Sequence, residues 1–399
     1  MADRLSGIQE IRDVGRDSRR GGYSRHVWDS AELELREWFV ARAANLGLDI
    51  ETDRNGNLWA WWGAPGPDAV ITGSHLDSVP GGGEFDGPLG VVSALDAVAR
   101  LKATGFTPSR PFAIVVFAEE EGSRFGIACL GSRLLAGVIS PEFTNGLIDA
   151  AGVTFAEAAT RAGLDPAHIG VDREALDRIG LFVELHVEQG RGLIDLGAPV
   201  AVASTILAHG RWRVTYSGEG NHAGATLMAG RRDPMVAASR GVLAIRDAAA
   251  RRDGARATVG RLEAIPGGTN VIPSTVSTWL DARGQSDDET RALVEDITAG
   301  VAEAAAGENC DVTIVEESWS GQVTFDPALR DRLNAALGSV PVLPTGAGHD
   351  AGVLASVVPT AMLFVRNPTG ISHSPEELAE LDDTIAGVEA LERVLRELL

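Results

Sequence analysis

The sequence predicts an α/β protein: a mixed, mostly parallel sheet flanked by helices, interrupted by an inserted α+β unit. Three observations predict this class. Apolar runs at Ala69–Thr72, Pro111–Ala118, Leu181–Leu185 and Thr360–Val365 read as strands, and Pro111–Ala118 is continuous, as a strand buried on both faces must be. Helical periodicity occupies segments between them, as from Val91 to Lys102, where Val91, Val92, Leu95, Val98 and Leu101 form one stripe. Between residues 210 and 325 the order becomes β-α-β-β-α-β, the ferredoxin-like arrangement.

Taken from the start, Met1 to Arg20 is charged and has no apolar core, so no secretory signal is expected. Ser30 to Leu46 reads as the first long helix, with Leu35, Trp38, Phe39, Ala43 and Leu46 inward and Gly47 just beyond its end. Asn55-Gly56, between Leu48–Ile50 and Leu58–Trp61, is a hairpin signal. Ala69–Thr72 delivers a dense polar loop, Gly73-Ser74-His75-Leu76-Asp77-Ser78-Val79-Pro80-Gly81-Gly82-Gly83-Glu84-Phe85-Asp86-Gly87. The next strand ends directly in Glu119-Glu120-Glu121-Gly122, and a polar helical stretch is expected from Phe155 to Arg178. His186 ends the following strand.

In the inserted segment, strands are expected at Arg211–Tyr216, Ala257–Leu262, Val276–Arg283 and Asp311–Glu316, with helices from Asp233 to Ala250 and Asp288 to Ala305. The chain then returns to its first layer. Thr360–Val365 leads through Pro368-Thr369-Gly370 to Ser372-His373-Ser374-Pro375-Glu376-Glu377, which has the form of a capping box with proline at the first helical position.

Bulk properties narrow the partners. A chain of 399 residues accommodates two or three domains. The net charge of −21 argues against nucleic acid or an anionic membrane as partner, and no apolar run approaches a membrane span. Cys129 and Cys310 are distant and form no C-x-x-C pair, which fits a reducing compartment. A cytoplasmic location is expected.

Ligands in open α/β sheets gather at the carboxyl ends of strands. Four segments here finish in His, Asp or Glu, and imidazole with carboxylate oxygen suits zinc and its neighbours in the first transition row. The motifs GSHLDSVPGGG-x-x-DG, AEEEGSRF, ELHVEQG, NHAG, GGTN-x-IPS, GAGHDA and GISHSPEE follow one another from residue 73 to residue 377. Together they resemble the amidase/hydantoinase/carbamoylase branch of the M20 metallopeptidases, which holds allantoate amidohydrolases, N-carbamoyl-L-amino-acid hydrolases and β-ureidopropionases. The resemblance covers nearly the whole chain.

The resemblance implies a metallopeptidase-like catalytic domain at residues 1–209 and 326–399, with residues 210–325 as an inserted lid that also dimerises. It implies two divalent metal ions per subunit, zinc foremost with manganese, cobalt or nickel also suited, on His75, Asp86, Glu121, His186 and His373. Asp86 would bridge them. In the E-E-G pattern the residue before Gly is the ligand and the one before it the general base, which assigns Glu121 and Glu120 respectively. Glu119 is left as a solvated or structural carboxylate, since alternate strand residues face the same way. Asp77, two residues from His75, would accept the other imidazole N–H and fix its tautomer. A cis peptide after Asp86 is also implied.

On the substrate side the resemblance implies His222 at the developing oxyanion, Arg283 forked onto a substrate carboxylate, and Asn270 as a further contact. Gln189 and His349 are additional substrate-binding candidates. Gly224-Ala225-Thr226-Leu227-Met228 departs from the Thr-Thr-Pro-Met usual in relatives. The expected partners are a small carboxylate-bearing substrate and a second copy of the chain, whose His222 would complete the site. The expected reaction is hydrolysis of a linear ureido or amide C–N bond in an N-carbamoyl-type acid, allantoate first and an N-carbamoyl-L-amino acid next, by metal-bound hydroxide with Glu120 as base. The alternatives are an aminoacylase or dipeptidase of the same architecture, or a binding relative without turnover.

Overall fold

Ala69–His75, Phe112–Phe117, Ile179–Val187 and Thr360–Val365 form the parallel centre of a nine-stranded mixed sheet. The computed structural model describes residues 5–399. Three of these central strands are buried at every residue, and only Gly180 of the fourth is not. Their β-branched and aromatic side chains suit a pleated surface packed on both sides, each contributing about 1.5–3 kcal/mol by leaving water.

The chain divides into two compact units, Met1–Thr205 with Thr324–Leu399, and Ile206–Val323. In the first, the sheet runs Asp49–Thr52, Leu58–Trp62, Phe112–Phe117, Ala69–His75, Ile179–Val187, Thr360–Val365, Val200–Ile206, Val323–Thr324, with Val342–Thr345 paired to Val200–Ile206 off this path. Phe112–Phe117 is parallel to Ala69–His75 on one side and antiparallel to Leu58–Trp62 on the other, so it is not a wholly parallel strand. Helix Pro88–Ala103 packs its Leu89, Val91, Val92, Leu95 and Val98 into the same core as Val70, Leu185 and Leu391.

Several local expectations need correction. The hairpin after Asp49–Thr52 turns through residues 53–57 rather than through two residues, because buried Asp53 accepts hydrogen bonds from the amides of Asn55 and Asn57 and from the Asn57 and Trp59 side chains. The polar stretch from Phe155 to Arg178 is two short helices, Phe155–Arg161 and Arg173–Arg178, parted by a segment containing Gly163, Pro166 and Gly170. Ser374-Pro375 starts no helix; the next one begins at Leu381. Among the described residues the cis peptide bond is Ile265–Pro266, so Asp86–Gly87 is trans, and the turn there is made by Gly87 at φ +85°. Both cysteines are free and buried. No helix of the described residues is long and apolar enough to cross a membrane.

The second unit has its own core. Its antiparallel sheet runs Asp311–Ser320, Ala208–Ser217, Thr275–Gly284, Arg256–Ile265. The two helices, Pro234–Ala250 and Asp287–Ala306, supply Ile245, Leu293 and Ile297 to a cluster with Trp212, Val214, Tyr216 and Leu280. Along Thr275–Gly284 burial alternates strictly, so Arg283 lies on the face away from this cluster. A separate short ladder pairs Asn221–His222 with Val271–Ile272.

Candidate metal centre

The register of the parallel strands levels their carboxyl ends. His75 pairs with Phe117, and His186 pairs with Phe364. His75 therefore ends beside the segment carrying Glu119, Glu120 and Glu121, while His186 lies beside the loop that leads to His373. Asp86 reaches the same place from the turn before helix Pro88–Ala103. A side chain at Gly87 is excluded there, since a Cβ would stand 2.4 Å from the His75 ring.

Among the described residues three groups of donors result, and two of them share Asp86, the third being Glu184, His186 and His349. His75, Asp86 and His186 form one, and Asp86, Glu121 and His373 the other, with the donor atoms of each group within 4.8 Å of one another. Asp86 Oδ1 lies 3.2 Å from His186 Nε2 and 3.6 Å from His75 Nε2, whereas Oδ2 lies 3.5 Å from His373 Nε2. Glu121 Oε2 is 3.5 Å from that same His373 nitrogen. One carboxylate oxygen thus serves each group. The first group is fully buried, but the His373 side chain is half exposed and its backbone sits at φ +56°. A left-handed non-glycine costs of order 1–3 kcal/mol and persists where surroundings demand it.

The donor set, imidazole nitrogen with carboxylate oxygen, suits divalent metal binding. The Nδ1 atoms of His75 and His186 lie 3.0 Å and 2.9 Å from the carbonyls of Asp77 and Val187. A carbonyl only accepts, so each Nδ1 carries hydrogen, which leaves Nε2 as the ring atom facing the other donors. The electrostatics agree. Burial lifts Glu121 well above the ordinary carboxylate range, with the Asp86 charge adding. Burial opposes protonation of His75, yet Glu120, Asp77 and Asp86 hold it well above its usual value. Anions packed this densely draw positive charge to the place between them.

Asp77 acts differently from expectation. It holds the His75 ring through its backbone carbonyl, with its carboxylate 3.5 Å away. The carboxylate oxygens instead accept from the amides of Glu120, at 3.2 Å, and Glu121, at 3.1 Å. Glu120 Oε2 lies 3.6 Å from His75 Nε2, and its Oε1 accepts from the Cys129 thiol at 3.3 Å. Burial raises Glu120 well above the carboxylate range, against the pull of His75. Glu119 is structural rather than solvated: it is buried, at φ +54°, and accepts from the amides of Arg124 and Phe125.

Gln189 Nε2 donates to Asp86 Oδ2 at 2.9 Å and to Ser372 Oγ at 3.0 Å, and lies 3.2 Å from His373 Nε2. His349 is buried 4.5 Å from the His186 ring, and burial holds it well below the usual imidazole value, with His186 adding. His222, Asn270 and Arg283 belong to the second unit. The Ala223 amide donates to the Asn270 carbonyl at 3.0 Å, which brings the His222 and Asn270 segments together. Arg283 already forks onto Asp281, Nε to Oδ1 at 2.7 Å and Nη2 to Oδ2 at 2.9 Å.

Three residues escaped the sequence reading. Glu377 is buried, and its Oε1 accepts from the amides of Phe85, at 3.2 Å, and Asp86, at 2.9 Å. Glu184 accepts from Ser74 Oγ and from the Ala351 amide, behind His186; a charge inside the apolar run Leu181–Val187 was its visible signal. Asp350 accepts from Ser132 Oγ at 2.5 Å and has no such signal beyond its place after His349.

Comparison with known proteins agrees with this geometry. The profile of peptidase family M20/M25/M40 matches residues 71–397. The chain is 37% identical over 391 residues to an N-carbamoyl-L-amino acid amidohydrolase of Geobacillus stearothermophilus, covering 96% of this chain and 95% of that protein. It is 34% identical over 385 residues to an allantoate amidohydrolase of Escherichia coli (strain K12), covering 95% and 93%. A crystal structure of an amidase of the hydantoinase/carbamoylase family from Burkholderia multivorans superposes with a TM-score of 0.85 at 30% identity, covering 97% of this chain and 95% of that one.

Proposed function

The chain belongs to peptidase family M20/M25/M40, and from that premise we propose that it hydrolyses the C–N bond of a linear ureido or N-carbamoyl acid. The substrates are allantoate or an N-carbamoyl-L-amino acid. The observation that carries the reading is the pair of donor groups sharing Asp86, with buried Glu120 beside them.

Two divalent cations, zinc first and manganese, cobalt or nickel as substitutes, would be held by His75, Asp86 and His186 on one side and Asp86, Glu121 and His373 on the other. When bound they polarise the scissile carbonyl and bring the pKa of a coordinated water towards about 7. Glu120 receives the proton of the attacking water and returns it to the leaving nitrogen; burial gives it the raised affinity for protons that such a shuttle requires. Cys129 holds the Oε1 oxygen of Glu120, so Oε2 is the one turned to His75. His222 donates to the oxygen of the carbonyl as it becomes tetrahedral. Arg283 takes the substrate carboxylate, with Asn270, Gln189 and His349 as polar contacts around the rest of the molecule. Asp281 presets the plane of the Arg283 guanidinium. The working form is a cytoplasmic homodimer formed through the inserted unit, which serves as a lid.

The test is product release from a panel of allantoate, ureidoglycine, N-carbamoyl-L-amino acids, N-acetyl amino acids and dipeptides. Ammonia from the ureido and carbamoyl compounds is expected, with no new amino groups from the last two. Chelation should abolish activity and back-titration restore it at about two ions per subunit. Turnover of N-acetyl compounds or dipeptides alone, or full activity in stripped protein, refutes the reading.

A further inference from the structure

His222 sits in a part of the second unit with almost no apolar anchorage. In the segment 224–230, Leu227 is 80% and Met228 77% exposed, so hydrophobic burial does not hold this turn. Hydrogen bonds do. Thr226 closes the turn onto the His222 carbonyl twice, through its amide at 3.1 Å and its hydroxyl at 2.9 Å. Arg231 then closes it from the other end. Its Nη2 donates to the carbonyls of Ala223, at 2.8 Å, and Thr226, at 2.6 Å, and its Nε donates to that of Leu227 at 3.3 Å.

The turn in return grips the imidazole. The amides of Gly224 and Ala225 both donate to His222 Nδ1, each at 3.1 Å. A backbone N–H only donates, so Nδ1 must present its electron pair and the ring proton must reside on Nε2. His222 is thereby set as an Nε2–H donor, with the ring fixed about its axis by two amides from the same turn. The loop's departure from the pattern of its relatives, at Ala225 and Leu227, keeps both amides.

We propose that Arg231 is a positioning residue for this reaction: it clamps the turn whose amides set the tautomer and direction of His222. The proposal rests on the reading of His222 as the donor to the developing oxyanion. Three carbonyls within five residues converge on one planar guanidinium, a geometry that lysine, a point donor on a flexible stem, reproduces only in part. Without the clamp, residues 223–228 keep the Thr226 contacts and the bond from the Ala223 amide to the Asn270 carbonyl, but the carbonyls of Ala223, Thr226 and Leu227 lose their common donor and the two amides are free to swing away from Nδ1. The ring then takes either tautomer, and its Nε2–H is aimed loosely.

The experiment uses the full-length protein in three variants, Arg231→Ala, Arg231→Lys and His222→Ala, together with the Arg231→Ala/His222→Ala double variant. Histidine-selective ¹⁵N labelling and two-bond ¹H–¹⁵N correlations report the tautomer, the His222 signals being those missing from His222→Ala. Wild type should show a single Nε2–H form, and Arg231→Ala a mixture. Loss of one oxyanion donor costs about 10²–10³ in rate, and a misplaced one a part of that, so Arg231→Ala should lower kcat about 10–10²-fold. KM should move by no more than about threefold, as expected when an interaction made only in the transition state is lost. Arg231→Lys should fall between, and Arg231→Ala should add less than about twofold in the His222→Ala background, because residues acting as a unit are not additive. A wild-type tautomer and kcat in Arg231→Ala overturn the proposal, and so does a full additional loss in the double variant. If His222→Ala itself turns over normally, the oxyanion reading of His222 falls, while the tautomer measurement still decides whether Arg231 sets the ring.

Discussion

Replacing Glu377 by alanine should loosen the metal centre although Glu377 is not itself one of the proposed ligands, because it holds the backbone of Asp86. Its carboxylate accepts from two buried amides, those of Phe85 and Asp86, and its Oε2 lies 3.3 Å from Ser372 Oγ. A buried donor left unpaired costs about 1–3 kcal/mol, so two amides without an acceptor cost about 2–6 kcal/mol before relaxation. Water entering the gap recovers part of this, and we expect the unfolding free energy to fall by about 2–4 kcal/mol. Asp86 supplies one oxygen to each donor group, so displacement of its backbone should weaken both. Outer partners of metal ligands typically account for 10–100-fold in affinity, and a loss of about that size is expected at both positions by chelator competition. Glu377→Gln keeps a carbonyl acceptor in place and should retain most of the affinity and stability. Thermal unfolding of stripped and reloaded protein separates the two effects. Wild-type metal affinity in Glu377→Ala would refute the reasoning, and an equal loss in Glu377→Gln would show that charge rather than the amide geometry is what counts.

Three further outcomes are expected. Glu120→Gln keeps the shape of the side chain but not its proton shuttle, so kcat should fall by about 10²–10⁴ with metal content unchanged; loss of metal instead would mean that Glu120 and Glu121 have exchanged roles. Glu119 is raised to about 8, chiefly by burial with Asp77 adding, so the fold binds its proton more tightly than the unfolded chain does. Chelated protein should therefore lose stability as pH rises from about 5 to about 8, and Glu119→Gln, with nothing to ionise, should lose less over that window; equal slopes in urea titrations would exclude Glu119 as the source. Mixing equal amounts of Glu120→Gln and His222→Ala subunits makes about half the dimers mixed, and if His222 serves the partner's site about a quarter of all sites should regain activity; no recovery, with subunit exchange confirmed by mass, would place His222 and Glu120 in one subunit.

Much of the fold and of the metal centre could be read from the sequence because both depend on short-range patterns. Strand ends followed at once by His or Glu, as at His75, Glu120-Glu121 and His186, announce themselves, and parallel pairing then levels them. The alternation along Thr275–Gly284 likewise fixes which face carries Arg283. Long-range partnerships could not be read in this way. Ser374-Pro375-Glu376-Glu377 has the composition of a helix start, and nothing local distinguishes that from what the fold makes of it. Glu377 is claimed by amides 292 and 291 positions upstream, and the chain bends to deliver it. The same holds for the turn at Asp53, where a buried carboxylate gathers four donors and lengthens a hairpin that Asn55-Gly56 alone would have made tight.

These long-range contacts also account for the asymmetry of the centre. His75 and His186 are set by the ends of adjoining buried strands, each ring pinned by a neighbouring carbonyl, so their half of the site depends on the sheet itself. His373 has no strand beneath it. It stands half exposed at a positive φ, in a loop whose neighbours Ser372 and Glu377 bond back to the Asp86 turn. Gln189 ties Asp86 Oδ2, Ser372 and His373 together from a third segment. One half of the centre is thus held by the core, at the high end of local stability, and the other by a few polar contacts between loops, at the low end. His373, Glu121 and Gln189 make up the adaptable half, while the buried half keeps Asp86 Oδ1 and both strand-borne imidazoles in register.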